Sequence, residues 1–168
     1  MNKSRAVALL AALGLVLGGG AVTSSAVAEV APAHSAQPAS PLPMPLIRSQ
    51  LNDRCLEIYA GHQEDGASVV MWDCHGGPSE QWYWDGEQIR TRLNGKCLEI
   101  YAFHQGNGAP VSTWRCDGGN NQRWYREGDQ IRSRMNGKCL DIIDNRPGNG
   151  ELVWMWDCNG GKNQQWNF

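Results

Sequence analysis

Between residues 131 and 142, apolar and polar positions alternate: Ile131, Ser133 and Met135 are interleaved with Arg132 and Arg134, and Leu140 and Ile142 flank Asp141. Period-two alternation on both sides of Asn136-Gly137 predicts two short strands joined by a tight turn. After a loop through Pro147-Gly148-Asn149-Gly150, Val153 and Met155 alternate with Trp154 and Trp156, and a Gly160-Gly161 turn leads into Gln164 and Trp166. The preceding stretch reads the same way, with Asp85-Gly86 and Asn94-Gly95 as its turns. No apolar stripe of helical period survives the glycine spacing, so no helix is predicted in this part of the chain.

The pattern recurs at a fixed interval. Gly160-Gly161-Lys162-Asn163-Gln164-Gln165-Trp166 lies 42 residues after Gly118-Gly119-Asn120-Asn121-Gln122-Arg123-Trp124, which lies 42 after Gly76-Gly77-Pro78-Ser79-Glu80-Gln81-Trp82. Ile47, Ile89 and Ile131 open three blocks, 47–88, 89–130 and 131–168, without insertion or deletion. Four short strands per repeat also describe a propeller blade, but a propeller ring takes four to eight blades. Three four-stranded units instead predict an all-β barrel with a hairpin cap, a β-trefoil. In it no unit buries its apolar face alone.

A different composition precedes the repeats. Lys3 and Arg5, the apolar run Ala6 to Leu17 and the small residues Ala26-Val27-Ala28 predict a signal peptide over 1–28, cleaved after Ala28. The run is too short for a bilayer span, which takes roughly 20 residues, so export without membrane insertion is expected in preference to an uncleaved anchor. No cysteine near the cleavage site offers a lipid attachment. Residues 29–46 hold Pro32, Pro38, Pro41, Pro43 and Pro45 among Ala and Ser, and read as an extended linker or arm.

Charge and cysteines narrow the function. Removing Lys3 and Arg5 leaves 13 basic residues against 17 acidic ones, a net charge of about −4, without the basic patch that nucleic acid requires. The alternating arginines Arg90, Arg92, Arg132 and Arg134 read as solvated strand faces. Six cysteines in an exported chain read as disulfides. A local pairing that respects the repeat is Cys55 with Cys74, Cys97 with Cys116 and Cys139 with Cys158. Each bridge is worth about 3 kcal/mol in the chain-entropy model. No closely spaced Cys pair suggests zinc, and no metal or cofactor is expected.

Gln-x-Trp at Gln122-Arg123-Trp124 and Gln164-Gln165-Trp166, together with Cys-Leu-Glu or Cys-Leu-Asp and a second cysteine 19 residues later, resembles the ricin-type β-trefoil lectins over residues 47–168. Repeat one departs, with Glu80-Gln81-Trp82. By alternation Trp166 and Gln164 point inward, and the same holds for Trp82, Gln122 and Trp124. The indoles are then expected to fill the core and the amides to satisfy buried backbone groups.

If Leu140, Ile142, Val153 and Met155 face the core, then Asp141, Trp154, Trp156 and Asn163 are left toward solvent. An aromatic ring covers the apolar face of a pyranose, while the acid and amide hold its hydroxyls. The resemblance implies the same set for sugar binding: Asp141, Trp156 and Asn163 match all three of the family's positions. Repeat two offers Glu99, Trp114 and Asn121. Repeat one offers Glu57 and Trp72 but has Ser79 in place of the amide. Trp154 is replaced by Val70 and Ser112 in the earlier repeats, and Tyr59 and Tyr101 have no counterpart in repeat three. The bland reading of Trp72, Trp114 and Trp156 is a satellite packing cluster beneath the long loop.

No catalytic constellation emerges. Glu57, Glu99 and Asp141 occupy threefold-related positions, whereas a glycosidase needs two carboxylates flanking one bond. His62 and His104 are replaced by Arg146, and His75 has no nucleophile in view. The sequence therefore predicts a secreted, non-catalytic lectin for galactose-, GalNAc- or xylan-type glycans, its third repeat the most complete. The competing reading is a protein-binding trefoil, an adaptor or inhibitor gripping a partner through its loops or residues 29–46.

Overall fold

The computed structural model describes residues 45–168. The expected signal peptide and all but the end of the expected linker lie outside them. Repeat one supplies β1 (Arg48–Ser49), β2 (Cys55–Ile58), β3 (Ala67–Trp72) and β4 (Trp82–Asp85). Repeat two supplies β5 (Gln88–Thr91), β6 (Cys97–Ile100), β7 (Ala109–Trp114) and β8 (Trp124–Glu127). Repeat three supplies β9 (Gln130–Ser133), β10 (Cys139–Ile142), β11 (Val153–Trp156) and β12 (Trp166–Asn167). Among the described residues there is no α-helix, only six short 3-10 turns.

The strands divide into a barrel and a cap. Antiparallel pairs β4–β5, β8–β9 and β12–β1 each join one repeat to the next. The fourth strand of each repeat is also held to the residue shortly before that repeat's first strand, by backbone bonds from Trp82 N–H to Pro45 O, Trp124 N–H to Glu87 O and Trp166 N–H to Asp129 O, at 2.7–2.8 Å. Pro45 and Leu46, assigned from sequence to the linker, are thus tied to the sheet; Leu46 bridges Gln81. Hairpins β2–β3, β6–β7 and β10–β11 form the cap. They meet where β3 pairs β7, β7 pairs β11, and Val70 bridges Leu152. This is the β-trefoil.

One core unites the repeats. Leu56, Leu98 and Leu140, Ile58, Ile100 and Ile142, and Trp82, Trp124 and Trp166 are all buried in it. The three indole N–H groups donate to Leu56 O, Leu98 O and Leu140 O at 2.8, 3.0 and 3.1 Å, which satisfies the polar end of each ring inside the core. Disulfides Cys55–Cys74, Cys97–Cys116 and Cys139–Cys158 tie the first strand of each cap hairpin to the loop leaving the second.

Two local expectations are corrected. Asp85 pairs with Gln88, so the β4–β5 turn is Gly86-Glu87 rather than Asp85-Gly86, and Gly86 takes φ +62° there. Asn136-Gly137 does not make a two-residue hairpin. β9 and β10 pair only at Arg132 and Cys139, and Met135 sits in the turn. The reason is a wider loop, closed by Gly137 N–H to Ser133 O and by Ser133 N–H to Lys138 O, with Ser133 Oγ accepting from Met135 N–H.

Candidate functional site

The third-repeat hollow is built on the cap hairpin β10–β11. Asp141 pairs across it with Trp154, and Cys139 with Trp156, so one face of the hairpin carries an acid and two indoles. A 3-10 turn, Lys162–Gln164, folds against this face and brings both its amides onto Asp141. Asn163 Nδ2 donates to Asp141 Oδ2 at 2.8 Å and Gln164 Nε2 to the same oxygen at 2.7 Å, while Trp154 Nε1 donates to Oδ1 at 2.9 Å. The rings of Trp154 and Trp156 stack at 4.8 Å between centroids, tilted by 25°.

Strand alternation placed these groups on the right face but misjudged their exposure. Asp141 is 3% exposed and Asn163 5%, because the indoles and the turn cover them. They floor a hollow of about 200 Å³ rather than stand in solvent. A second correction concerns Gln164. Residues 162–164 are not strand, so alternation does not separate Asn163 from Gln164. Gln164 accepts from Asn159 N–H and donates to Asp157 O, as expected of a structural amide, but it also positions the acid.

Burial strips water from the Asp141 carboxyl and raises its pKa above the ordinary 3.8. The hydrogen bonds from Trp154, Gln164 and Asn163 oppose that shift, and nearby Asp144 adds repulsion. Three of the carboxylate's roughly four acceptor positions are filled, leaving about one for an incoming hydroxyl.

The sequence reading missed the rim. Asp144, Asn145 and Asn159 complete the hollow. Asp144 and Asn145 hold positive φ, 50° and 55°, as do Ala102 and Phe103 in repeat two and Ala60 and Gly61 in repeat one. Side-chain-bearing residues in this region cost of order 1 kcal/mol and persist only where the surroundings enforce them. The signal was present as three triplets at one repeat offset: Tyr59-Ala60-Gly61, Tyr101-Ala102-Phe103 and Ile143-Asp144-Asn145.

The second hollow gathers Glu99, Trp114 and Asn121 with Tyr101, Phe103 and Asp117. Gln122 Nε2 donates to Glu99 Oε2 at 3.0 Å, but Asn121 donates to Ile100 O and contributes only weakly to the acid. Burial again raises the carboxyl pKa, with Gln122 opposing and Asp117 reinforcing the shift. Tyr101 and Trp114 meet edge to face at 6.4 Å. In the first hollow Glu57 and Trp72 are joined by Tyr59 in the same edge arrangement, and Ser79 Oγ donates to Glu57 Oε1 at 3.3 Å.

The fold is shared with proteins of known structure. A designed threefold-symmetric protein, ThreeFoil, is 27% identical with a TM-score of 0.68, over 72% of this chain and 94% of its own. The C-terminal half of an earthworm R-type lectin, solved in complex with GalNAc, is 26% identical with a TM-score of 0.64, over 73% of this chain and 94% of that one. An exo-beta-1,3-galactanase from Clostridium thermocellum is 26% identical with a TM-score of 0.67, over 72% of this chain but only 28% of the enzyme. The family model of the ricin-type beta-trefoil lectin domain matches residues 45–166. With that match spanning most of the sequence, the chain belongs to the ricin-type beta-trefoil lectin domain family.

Proposed function

We propose that this protein is a secreted, non-catalytic lectin that grips a monosaccharide unit in the third-repeat hollow, with weaker sites on repeats two and one. The observation that carries the reading is the Asp141 network. A buried acceptor is held in place by Trp154, Asn163 and Gln164 beside the half-buried face of Trp156. Such a group costs little further ordering when a sugar hydroxyl arrives, and the indole takes the apolar C–H face of the ring.

The GalNAc complex of the earthworm lectin supports galactose-type sugars as the first ligands to try. Several shallow sites on one rigid frame would gain avidity on a repeating glycan. Wild type and Asp141→Ala are compared on a glycan array and a galactose column. Retention lost in the variant and released by free sugar supports the reading. Equal retention by both proteins overturns the third-site assignment, and binding that ignores millimolar sugar points instead to a protein partner. Export is tested by N-terminal sequencing of the mature protein, expected to begin at Glu29.

A further inference from the structure

Repeat one differs from the other two at three neighbouring positions. His75 stands where the others have Asp117 and Asn159, Ser79 where they have Asn121 and Asn163, and Glu80 where they have Gln122 and Gln164. We infer that Glu57, His75 and Glu80 form a site for a divalent transition-metal ion of the zinc class beneath the first hollow. This goes beyond the glycan reading and does not depend on it.

The substitution of Glu80 for glutamine creates the need. Its Oε2 keeps the glutamine's accepting role, taking N–H bonds from His75 at 2.9 Å and Gly76 at 2.7 Å. Its Oε1 takes the place of the amide nitrogen with which Gln122 and Gln164 donate to Glu99 and Asp141. An ionised carboxylate has no hydrogen to give. Glu80 Oε1 and Glu57 Oε2 are accordingly buried without a hydrogen-bond partner, in residues 0% and 7% exposed. Two buried like charges side by side are unfavourable, and a divalent cation offsets both. Among the described residues, the only basic side chain within ion-pair distance of either acid is His75.

The spacing suits the ion. His75 Nε2 lies 3.5 Å from Glu57 Oε1 and 3.7 Å from Glu80 Oε1, and one ligand atom from each residue falls within 4.8 Å of the others. Ligands at about 2.0–2.1 Å in a tetrahedron are roughly 3.4 Å apart. Two edges are therefore nearly formed, and the third, between the two acids, lies within 4.8 Å and closes by up to roughly 1.4 Å as both carboxylates turn onto the ion. The His75 side chain is half exposed, which gives the ion a way in and leaves room for water as the fourth ligand. Imidazole with two carboxylates selects zinc-class ions over magnesium or calcium, which prefer all-oxygen shells.

Uptake has a built-in signature. Without metal, Gly77 N–H donates to His75 Nδ1 at 3.0 Å, so the ring proton sits on Nε2, facing the acids. Coordination at Nε2 moves that proton to Nδ1 and releases the Gly77 amide.

The test is calorimetric titration of the chelator-treated full chain with Zn²⁺, repeated on Glu80→Gln and His75→Asn. Both variants install residues that other repeats carry at the same position, so the fold should hold; an unchanged metal-free unfolding midpoint checks this. Expected are one equivalent bound at micromolar affinity and a shift of the Gly77 amide resonance on loading. Each variant should lose more affinity than the roughly 10- to 100-fold cost of removing a second-sphere partner. Third-site glycan binding should be unchanged in Glu80→Gln, which separates this inference from the lectin reading. No stoichiometric uptake, or uptake undiminished in both variants, overturns the site.

Discussion

Repeats two and three share a backbone and an acid, an indole and an amide at matching positions, yet they hold the acid differently. Asp141 receives three side-chain hydrogen bonds, and Trp154 stacks on Trp156 beside it. Glu99 receives one strong bond, from Gln122, while Asn121 turns to Ile100 O and leaves its own Oδ1 unpartnered. Opposite Glu99 stands Ser112, whose buried hydroxyl is also unpartnered, where repeat three has Trp154. One added methylene and one lost indole thus convert a fixed acceptor into a looser one. Matching residue types at matching positions do not guarantee matching sites.

The comparison is broken most severely by Asp141→Ala. Removing an ionised acceptor should cost the third site about 1.5–3 kcal/mol, roughly 10- to 150-fold in Kd by calorimetry. The buried donors Asn163 and Gln164 and the half-buried Trp154 lose their acceptor as well, so the unfolding midpoint should fall. Glu99→Ala, with one strong donor to disappoint, should lower it less. An equal fall in both variants would remove the distinction drawn between the repeats.

Next in size is Trp156→Ala, expected to weaken galactose-column retention about tenfold through loss of ring stacking. Retention at the wild-type level would assign Trp156 to packing. Glu99→Asp sharpens the comparison from the other side. Shortening the acid should let Asn121 donate to it and raise second-site affinity several-fold, read as a second binding phase in titration; an unaltered isotherm would place the deficit in Ser112 instead.

The smallest effect is acidity. Protonation turns one acceptor oxygen of Asp141 into a donor and removes the charge that strengthens its bonds, and its folded-state pKa lies above 3.8. Third-site binding should therefore weaken as pH falls through that raised value, sooner than an ordinary aspartate would dictate. Stability runs the opposite way: the folded chain holds this proton more tightly than the unfolded one, so Asp141's contribution declines as pH rises through the same window. Titrating affinity and unfolding midpoint from pH 7 to pH 4 separates the two trends, and Asp141→Asn should flatten both.

Period and alternation made most of the frame legible. Alternation located β9, β10 and β11, the 42-residue offset carried that pattern back to the earlier repeats, and the same offset gave the cysteine pairs that the structure joins. The face bearing Asp141, Trp154 and Trp156 followed from a period of two, because β10 and β11 are true strands. The method failed where the backbone leaves that period. Lys162–Gln164 winds as a 3-10 turn, so Asn163 and Gln164 converge on one carboxylate instead of diverging. The rim at Asp144 and Asn145 rests on left-handed residues that are not glycine, a conformation that composition does not announce. His75 and Glu80 are five positions apart with a Gly-Gly turn between them, a spacing that a search for paired cysteines passes over.

The pairing of β1 with β12 has a consequence for how the chain folds. β1 pairs with the nearby β2 on one side, at Arg48 and Cys55, but on the other its partners are Asn167 and Trp166 of β12. The ring cannot shut until β12 is in place beside β1. Sealing the ring therefore rests on a pairing between distant parts of the chain, which forms more slowly than the local cap hairpins.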